Sequence, residues 1–258
     1  NNLKELVQQL KGECPIVRIE HNPSPQPATP AAMTLDHLGL GIEGMDRAAH
    51  ALALAAAGGH HLLMVGPPGC GKTHLARQLP LLLPPLTTPE SLTITRIHSV
   101  AGEFDASEPL LHQRPFRSAH HSCSGAALLG GGHTPKPGEI SLAHGGVLFL
   151  DELAEFPRRV LDLLRQPLED GNVRLSRSRE TTVFPAAVTL VAATNPCPCG
   201  WHGDSAQACR CTRAQRQRYW QRLSGPLLDR IDLLVRLERR SSKQMRSCPE
   251  ATPSPQTH

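Results

Sequence analysis

The chain has 258 residues, with 27 Lys and Arg against 23 Asp and Glu, so its formal net charge is +4. Hydrophobic residues make up 39% and charged residues 19%, a composition typical of a chain that folds around a core and unlike that of disordered proteins. So small a positive excess does not by itself indicate a nucleic-acid partner. The most apolar stretch, residues 48–71, contains glycine, proline and histidine, which excludes a membrane span there.

The cysteines and the N-terminal residues indicate the cellular compartment in which the protein folds. The first residues lack the basic segment followed by an apolar one that marks a secretory signal. We therefore interpret the eight cysteines as thiols or metal ligands before disulfides, and we expect a cytoplasmic protein.

Composition divides the chain into three parts. Residues 1–34 combine a short amphipathic helix pattern with a proline-rich stretch, which we interpret as the remnant of an upstream domain and a linker. Residues 35–238 are predicted to form the folded core. Residues 239–258 are rich in Ser, Pro and Gln, which is typical of a disordered tail.

Within the core, apolar strand patterns alternate with helical patterns. Strands are predicted over 62–65, 147–150, 188–193 and 231–237. Helices are predicted over 46–57, over 74–83 with an interruption near Pro80, and over 158–169. Short apolar strands separated by helices indicate an α/β fold, with a parallel sheet covered by helices on both faces.

A glycine-rich loop follows the first strand and precedes a helix. Its residues, which match the P-loop pattern in full, are Gly66, Pro67, Pro68, Gly69, Cys70, Gly71, Lys72 and Thr73. Glycines let successive N–H groups and the helix N-terminus face an anion. The pattern predicts that Lys72 reaches the β- and γ-phosphates of ATP and that the Thr73 hydroxyl binds Mg²⁺.

Two further strands end in polar residues. The second strand ends at Asp151 and Glu152, which could be the Mg²⁺ ligand and the base that activates water, or merely a solvated helix start. Together with the P-loop, the first interpretation is favoured. Asn195 follows the third strand and would either position the attacking water or serve as a turn residue.

Cys197, Cys199, Cys209 and Cys211 lie in the segment after Asn195. Four thiolates suit tetrahedral Zn²⁺, in a closed and therefore structural site. The spacing of two C-x-C pairs is a weaker match than the usual C-x₂-C, and the alternative is four reduced cysteines on a surface insertion.

Residues 173–183 are interpreted as a β-hairpin with Arg174, Arg177 and Arg179 near its tip. These side chains suit the phosphates of DNA, since such contacts depend on charge and not on base sequence. The alternative is a charged hairpin that faces only solvent.

The order of P-loop, Asp-Glu pair, strand-end Asn195 and segment 224–232 resembles the AAA+ ATPases, and more narrowly their magnesium-chelatase-like YifB/ComM family. The matching stretches span about residues 35–237. The resemblance implies a P-loop NTPase fold, ATP and Mg²⁺ as cofactors, and a homo-oligomeric, hexameric ring. It also implies that Asn195 is the sensor-1 residue, that Arg230 is an arginine finger in a neighbouring subunit's site, and that the hairpin faces the pore.

The resemblance leaves three functions open. The first is a ring-shaped DNA translocase or helicase that uses ATP for branch migration in natural transformation, acting on single-stranded or branched DNA. The second is the ATPase subunit of a magnesium chelatase that inserts Mg²⁺ into a porphyrin. The third is a nucleotide-binding fragment without turnover, because the C-terminal helical lid of the family is expected to be missing here.

Overall fold

The computed structural model describes residues 46–104, 110–132, 134–176, 181–223 and 225–239. The interpretations of residues 1–34 and of the tail after residue 239 therefore lie outside the described residues. No helix within the described ranges is long and apolar enough to cross a membrane.

The described residues form helices and strands that alternate along the chain. The strands are β1 (Leu62–Val65), β2 (Phe116–Ala119), β3 (Gly130–Gly131), β4 (Lys136–Pro137), β5 (Val147–Leu150), β6 (Asn172–Ser176), β7 (Thr181–Pro185), β8 (Thr189–Thr194) and β9 (Leu233–Arg236). The α-helices are α1 (Asp46–Gly58), α2 (Lys72–Leu82), α3 (Thr88–Ala101), α4 (Gly125–Leu129), α5 (Glu139–Leu142), α6 (Arg158–Leu163), α7 (Arg165–Asp170), α8 (Arg213–Trp220) and α9 (Gly225–Leu228).

Five strands form one parallel sheet in the order β2-β5-β8-β1-β9. Every residue of β1, β5 and β8 is buried, whereas the two edge strands are partly exposed. Successive residues of β1 belong to different core clusters: Leu63 and Val65 pack in one, and Leu62 and Met64 in the other. A core on both faces explains why the central strands are continuously apolar, and the predicted α/β fold is confirmed.

The structure corrects two local predictions and shows one helix that was not predicted. The helix predicted over 158–169 is two helices, because Pro167 has no N–H to donate to the carbonyl of Leu163, where the first helix ends. Helix α2 runs through Pro80 without the predicted interruption. Helix α3 was not predicted, although its capping box of Thr87 and Glu90 is a readable start signal.

The edge strand β2 was also missed. No strand was predicted over its sequence, Phe-Arg-Ser-Ala, which has no continuous apolar run. It pairs in parallel with β5, so that Ala119 lies opposite Leu150. Because all five strands are parallel, the residues that follow β1, β2, β5 and β8 meet at one edge of the sheet.

Candidate active site

The loop between β1 and α2 has the backbone geometry of a phosphate cradle. Gly69 and Gly71 have φ values of 76° and 90°, a left-handed conformation that is costly for any residue with a Cβ atom. A Cβ atom on Gly66 would lie 2.7 Å from the Cys70 Sγ and 2.9 Å from the Leu237 Cβ. Glycine is therefore required at all three positions, and the loop leads directly into the N-terminus of α2.

Lys72 lies inside this loop. Its Nζ donates to the carbonyl oxygens of Gly66 at 2.7 Å and Pro67 at 3.0 Å, and to the Oδ1 of Asn195 at 3.2 Å. Burial lowers the pKa of Lys72, while the nearby Cys70, Asp151 and Glu152 act in the opposite direction. The structure thus brings together two predicted site residues, Lys72 and Asn195, that are far apart in sequence.

Thr73 and Asp151 form the second predicted pair. The Thr73 Oγ1 donates to the Asp151 Oδ2 at 3.0 Å. Adjacent oxygens in an octahedral Mg²⁺ shell, with metal–oxygen distances near 2.05 Å, lie about 2.9 Å apart. The hydroxyl and the carboxylate therefore fit a shared Mg²⁺ in both chemistry and separation.

Glu152 adopts an unusual backbone conformation. It is the one non-glycine residue in the described ranges with a positive φ, 53°, and its N–H donates to the Asp151 Oδ1 at 2.9 Å. Its carboxylate is half exposed, and the Oε2 atom lies 2.8 Å from the His121 Nδ1. The sequence indicated no role for His120, His121 and His133 beyond structure or a substrate loop. In the structure, one ring nitrogen each of His120 and His121 lies within 4.8 Å of a Glu152 carboxylate oxygen, and His133 lies outside the described residues.

Asn195 is fixed by the strand that precedes it. Thr194, the last residue of β8, accepts a hydrogen bond from the Gly66 N–H at 3.2 Å, which ties the end of β8 to the start of the P-loop. The Thr194 hydroxyl also lies 3.3 Å from the Tyr219 hydroxyl in the buried interior. These contacts place the Asn195 amide beside Lys72.

The four cysteines after Asn195 converge on one point. Their Sγ atoms all lie within 4.8 Å of one another, and the Sγ of Cys197 is 3.4 Å from that of Cys199 and 3.7 Å from that of Cys209. Tetrahedral Zn²⁺ with zinc–sulfur distances near 2.3 Å places the sulfurs about 3.8 Å apart. The thiols of Cys197, Cys199, Cys209 and Cys211 therefore have the number and spacing of a structural zinc site.

The thiol environments differ across this cluster. Burial raises the pKa of Cys197 to about 12. A hydrogen bond from the Trp201 backbone N–H lowers the pKa of Cys199 to about 6. The loop also packs on the P-loop, since a Cβ atom on Gly200, whose φ is 84°, would lie 2.8 Å from the Pro68 Cδ.

The remaining predicted site residues are Arg230 and the hairpin arginines. The Nη2 of Arg230 pairs with the Oε2 of Glu169 at 2.8 Å, and a single chain does not test the prediction that it serves a neighbouring subunit. Strands β6 and β7 form the expected antiparallel hairpin, with Arg174 exposed and opposite Val183. Arg177 and Arg179 lie outside the described residues.

Comparison with known proteins identifies the family. The family described as Magnesium chelatase, subunit ChlI, matches residues 40–245, and the chain belongs to it. The P-loop, the Asp151–Glu152 pair and Asn195 at one edge of a parallel sheet are the features of an AAA+ ATPase. The chain is thus a member of the magnesium-chelatase-like family of AAA+ proteins, and the resemblance to this family is confirmed.

Three relatives illustrate how far the similarity extends. An uncharacterized protein of Mycobacterium tuberculosis (strain ATCC 25618 / H37Rv) is 51% identical over 199 residues, 77% of this chain and 39% of the relative. The uncharacterized protein YifB of Escherichia coli (strain K12) is 45% identical over 233 residues, which cover 90% of this chain and 46% of the relative. Competence protein ComM of Haemophilus influenzae (strain ATCC 51907 / DSM 11121 / KW20 / Rd) is 51% identical over 197 residues, which cover 75% of this chain and 38% of the relative.

The chain therefore spans less than half the length of these relatives. Among solved structures, NtrX from Brucella abortus in complex with ATP has a TM-score of 0.48 and 18% identity, over 76% of this chain and 37% of NtrX.

Replacement of Lys72 tests the nucleotide site. We expect Lys72→Ala to weaken binding of a fluorescent ATP analogue about 100-fold, since charge-assisted hydrogen bonds to two phosphates are lost. Fluorescence titration measures the Kd. Lys136→Ala, which removes an exposed lysine from β4, should bind as the parent does. Parent-like binding by Lys72→Ala would contradict the P-loop assignment.

Proposed function

We propose that this chain hydrolyses ATP as the motor core of a ring-forming DNA translocase. The observation that carries the catalytic part is the convergence of Lys72 with Asn195 and of Thr73 with Asp151 at one edge of the sheet. This arrangement supplies a cation for the phosphates, oxygen ligands for Mg²⁺ and an amide for water.

The proposed reaction assigns one task to each side chain. The P-loop N–H groups and Lys72 hold the β- and γ-phosphates, and Asn195 orients the attacking water. Glu152 accepts a proton of that water as its oxygen attacks the γ-phosphorus, the bond from this phosphorus to the β–γ bridging oxygen breaks, and ADP leaves with the bonding electrons. Thr73 and Asp151 would hold Mg²⁺, whose charge would neutralise that of the phosphate oxygens.

We propose that the chain acts in a homo-oligomeric ring, with six subunits as the family resemblance implies. In one chain, the Arg230 side chain is 38% exposed and pairs with Glu169, which is itself half exposed. An exposed ion pair of this kind contributes at most about 1 kcal/mol, so exchange of Glu169 for a neighbour's phosphate costs little. Arg230 is thus suited to act in trans as an arginine finger.

Mixing two inactive variants tests this trans role. Arg230→Ala chains keep the P-loop, and Lys72→Ala chains keep the finger, so a hybrid interface contains both. We expect ATP turnover of the mixture, measured by phosphate release, to exceed that of either variant alone. As a control, mixing Lys72→Ala chains with chains that carry both Lys72→Ala and Arg230→Ala should restore no ATP turnover. The trans role is wrong if Arg230→Ala and Lys72→Ala co-assemble by light scattering and show no recovery.

We propose DNA as the substrate on which the ring acts, in branch migration during natural transformation. Arg174 is exposed on the β6–β7 hairpin, and Arg177 and Arg179 follow it in the chain, which gives three positive charges suited to backbone phosphates. The 51% identity to a protein named competence protein ComM also supports this choice. The family description instead favours the second candidate, a magnesium chelatase subunit.

ATP turnover with and without forked DNA distinguishes these functions. We expect DNA to stimulate phosphate release several-fold, and Glu152→Gln to abolish turnover while keeping ATP binding, because an amide cannot act as a base. Stimulation only by a porphyrin and the remaining chelatase subunits would favour the second candidate. Absence of turnover under all conditions would favour the nucleotide-binding fragment.

A DNA-binding titration at several salt concentrations tests the hairpin arginines. Replacing Arg174, Arg177 and Arg179 together by Ala should weaken single-stranded DNA binding and reduce the slope of log K against log salt by about 2, because three phosphate contacts are lost. Unchanged affinity and slope would contradict the proposed contact between these arginines and DNA.

We also propose that Cys197, Cys199, Cys209 and Cys211 hold one structural Zn²⁺. Their convergence within 4.8 Å supports this, and no ligand position remains open for catalysis. Reduced thiols require a reducing compartment, so we propose the cytoplasm, which fractionation of expressing cells would test.

Elemental analysis tests the zinc site. Protein purified from zinc-containing medium should hold close to one Zn²⁺ per chain, and Cys209→Ser with Cys211→Ser should abolish it. Cys123→Ser, which alters a thiol outside the cluster, should keep the metal. A metal-free preparation that stays folded and binds ATP normally would contradict the proposal.

A further inference from the structure

Helix α8 presents a buried tyrosine to the end of β8. Tyr219 is the only tyrosine in the chain, and only 3% of it is exposed to solvent. Its hydroxyl lies 3.3 Å from the Oγ1 of Thr194, the last residue of β8. A buried phenolic hydroxyl needs a hydrogen-bond partner, and here that partner is the residue that directly precedes Asn195.

The Tyr219 hydroxyl is also linked to the backbone of Asn195. Burial raises the pKa of Tyr219, and hydrogen bonds with the Thr194 side chain and with the Asn195 backbone N–H partly offset this effect. The Thr194 Oγ1 donates to the Asn195 carbonyl oxygen at 3.4 Å. With that proton committed, Tyr219 donates to Thr194, and its own oxygen remains to accept from the Asn195 N–H. The three residues thus form a closed chain of hydrogen bonds around the backbone of Asn195.

The next residue of α8 holds the other side of Asn195. The Nε1 of Trp220 donates to the carbonyl oxygen of Pro196 at 3.2 Å. The side-chain amide of Asn195 meets the P-loop, since its Oδ1 accepts from the Lys72 Nζ at 3.2 Å. Tyr219 and Trp220 therefore fix the stretch of backbone from which the Asn195 amide reaches Lys72.

Helix α8 is itself anchored at both ends. A capping box of Thr212 and Gln215 begins the helix. Just after its last residue, Arg222 donates to the Oε2 of Glu155 at 2.9 Å, and its guanidinium lies over the Tyr219 ring at 6.0 Å from the ring centroid. Glu155 belongs to the segment that follows the Asp-Glu pair of β5. Tyr219 is therefore held in register with the segments that follow both β5 and β8.

We propose that Tyr219 is a positioning residue that fixes Asn195 for ATP hydrolysis. Its hydroxyl holds the Asn195 backbone, so that the side-chain amide stays where it orients the attacking water. The inference rests on the proposed ATP hydrolysis with Asn195 as the residue that orients water. It adds a residue of α8, which lies outside the P-loop and the strand ends, to the parts that turnover requires.

Removal of one oxygen atom separates positioning from packing. Tyr219→Phe keeps the ring in the core and removes the hydroxyl, so a residue that only filled the core would tolerate this change. We expect Tyr219→Phe to lower kcat for ATP about fivefold, the effect of one hydrogen bond, and to leave the Kd of a fluorescent ATP analogue unchanged.

A matched control removes a different buried hydroxyl. The Thr95 Oγ1 on α3 donates to the Ser91 carbonyl oxygen at 2.8 Å and accepts from the Leu111 N–H at 2.9 Å. Thr95→Val therefore loses buried hydrogen bonds outside the candidate active site, and it should keep the parent kcat. Circular dichroism at the assay temperature checks that both variants are folded.

A spectroscopic readout tests the contact without turnover. Because the chain has a single tyrosine, protein labelled with [¹³Cζ]tyrosine gives one resonance, whose position depends on the hydrogen bonds of the phenolic oxygen. Thr194→Val, which replaces Oγ1 by a methyl group, should shift this resonance. Thr194→Ser, which keeps the hydroxyl, should leave it close to that of the parent.

The outcomes that overturn the inference are distinct from those that overturn the proposed function. An unshifted resonance in Thr194→Val overturns the inference, as does a Tyr219→Phe kcat at the parent level. So does a Thr95→Val kcat as low as that of Tyr219→Phe, because the loss would then reflect general destabilisation. A parent chain without turnover, under all conditions, overturns the proposed ATP hydrolysis instead, and the positioning role with it, even where the shift is seen.

Discussion

The parallel pairing of β1, β5 and β8 is the constraint on which the candidate active site depends. Each strand is followed by residues of the candidate site, and parallel strands end at the same edge of the sheet. Lys72 and Asn195, 123 residues apart, meet at 3.2 Å for this reason, as do Thr73 and Asp151. An antiparallel arrangement of the same strands would place these groups at opposite edges.

Charged side chains lie close together and partly buried at this edge of the sheet. Lys72 is desolvated among backbone carbonyls, which lowers its pKa, and the carboxylates of Asp151 and Glu152 offset part of this effect. A cation held in this way is prepared to exchange carbonyl oxygens for phosphate oxygens.

The cysteine cluster and the nucleotide site share structural support. Cys197 follows Asn195 by two residues, and Gly200 packs against Pro68 of the P-loop. Trp220 of α8 donates from Nε1 to the Pro196 carbonyl at 3.2 Å, and Arg216 of the same helix donates to the Cys211 carbonyl at 2.9 Å. Order in the cysteine loop therefore bears directly on the position of the Asn195 amide.

The sequence by itself determined the P-loop, the central strands and the residues that follow them, because each is a contiguous pattern whose chemistry is local. It also identified the four cysteines, although only the fold shows that their sulfurs converge. The tertiary structure alone decided that β2 joins the sheet beside β5 and brings His121 to Glu152. A four-residue edge strand of mixed polarity has no periodic signature, and its pairing is a long-range contact that adjacent residues do not specify.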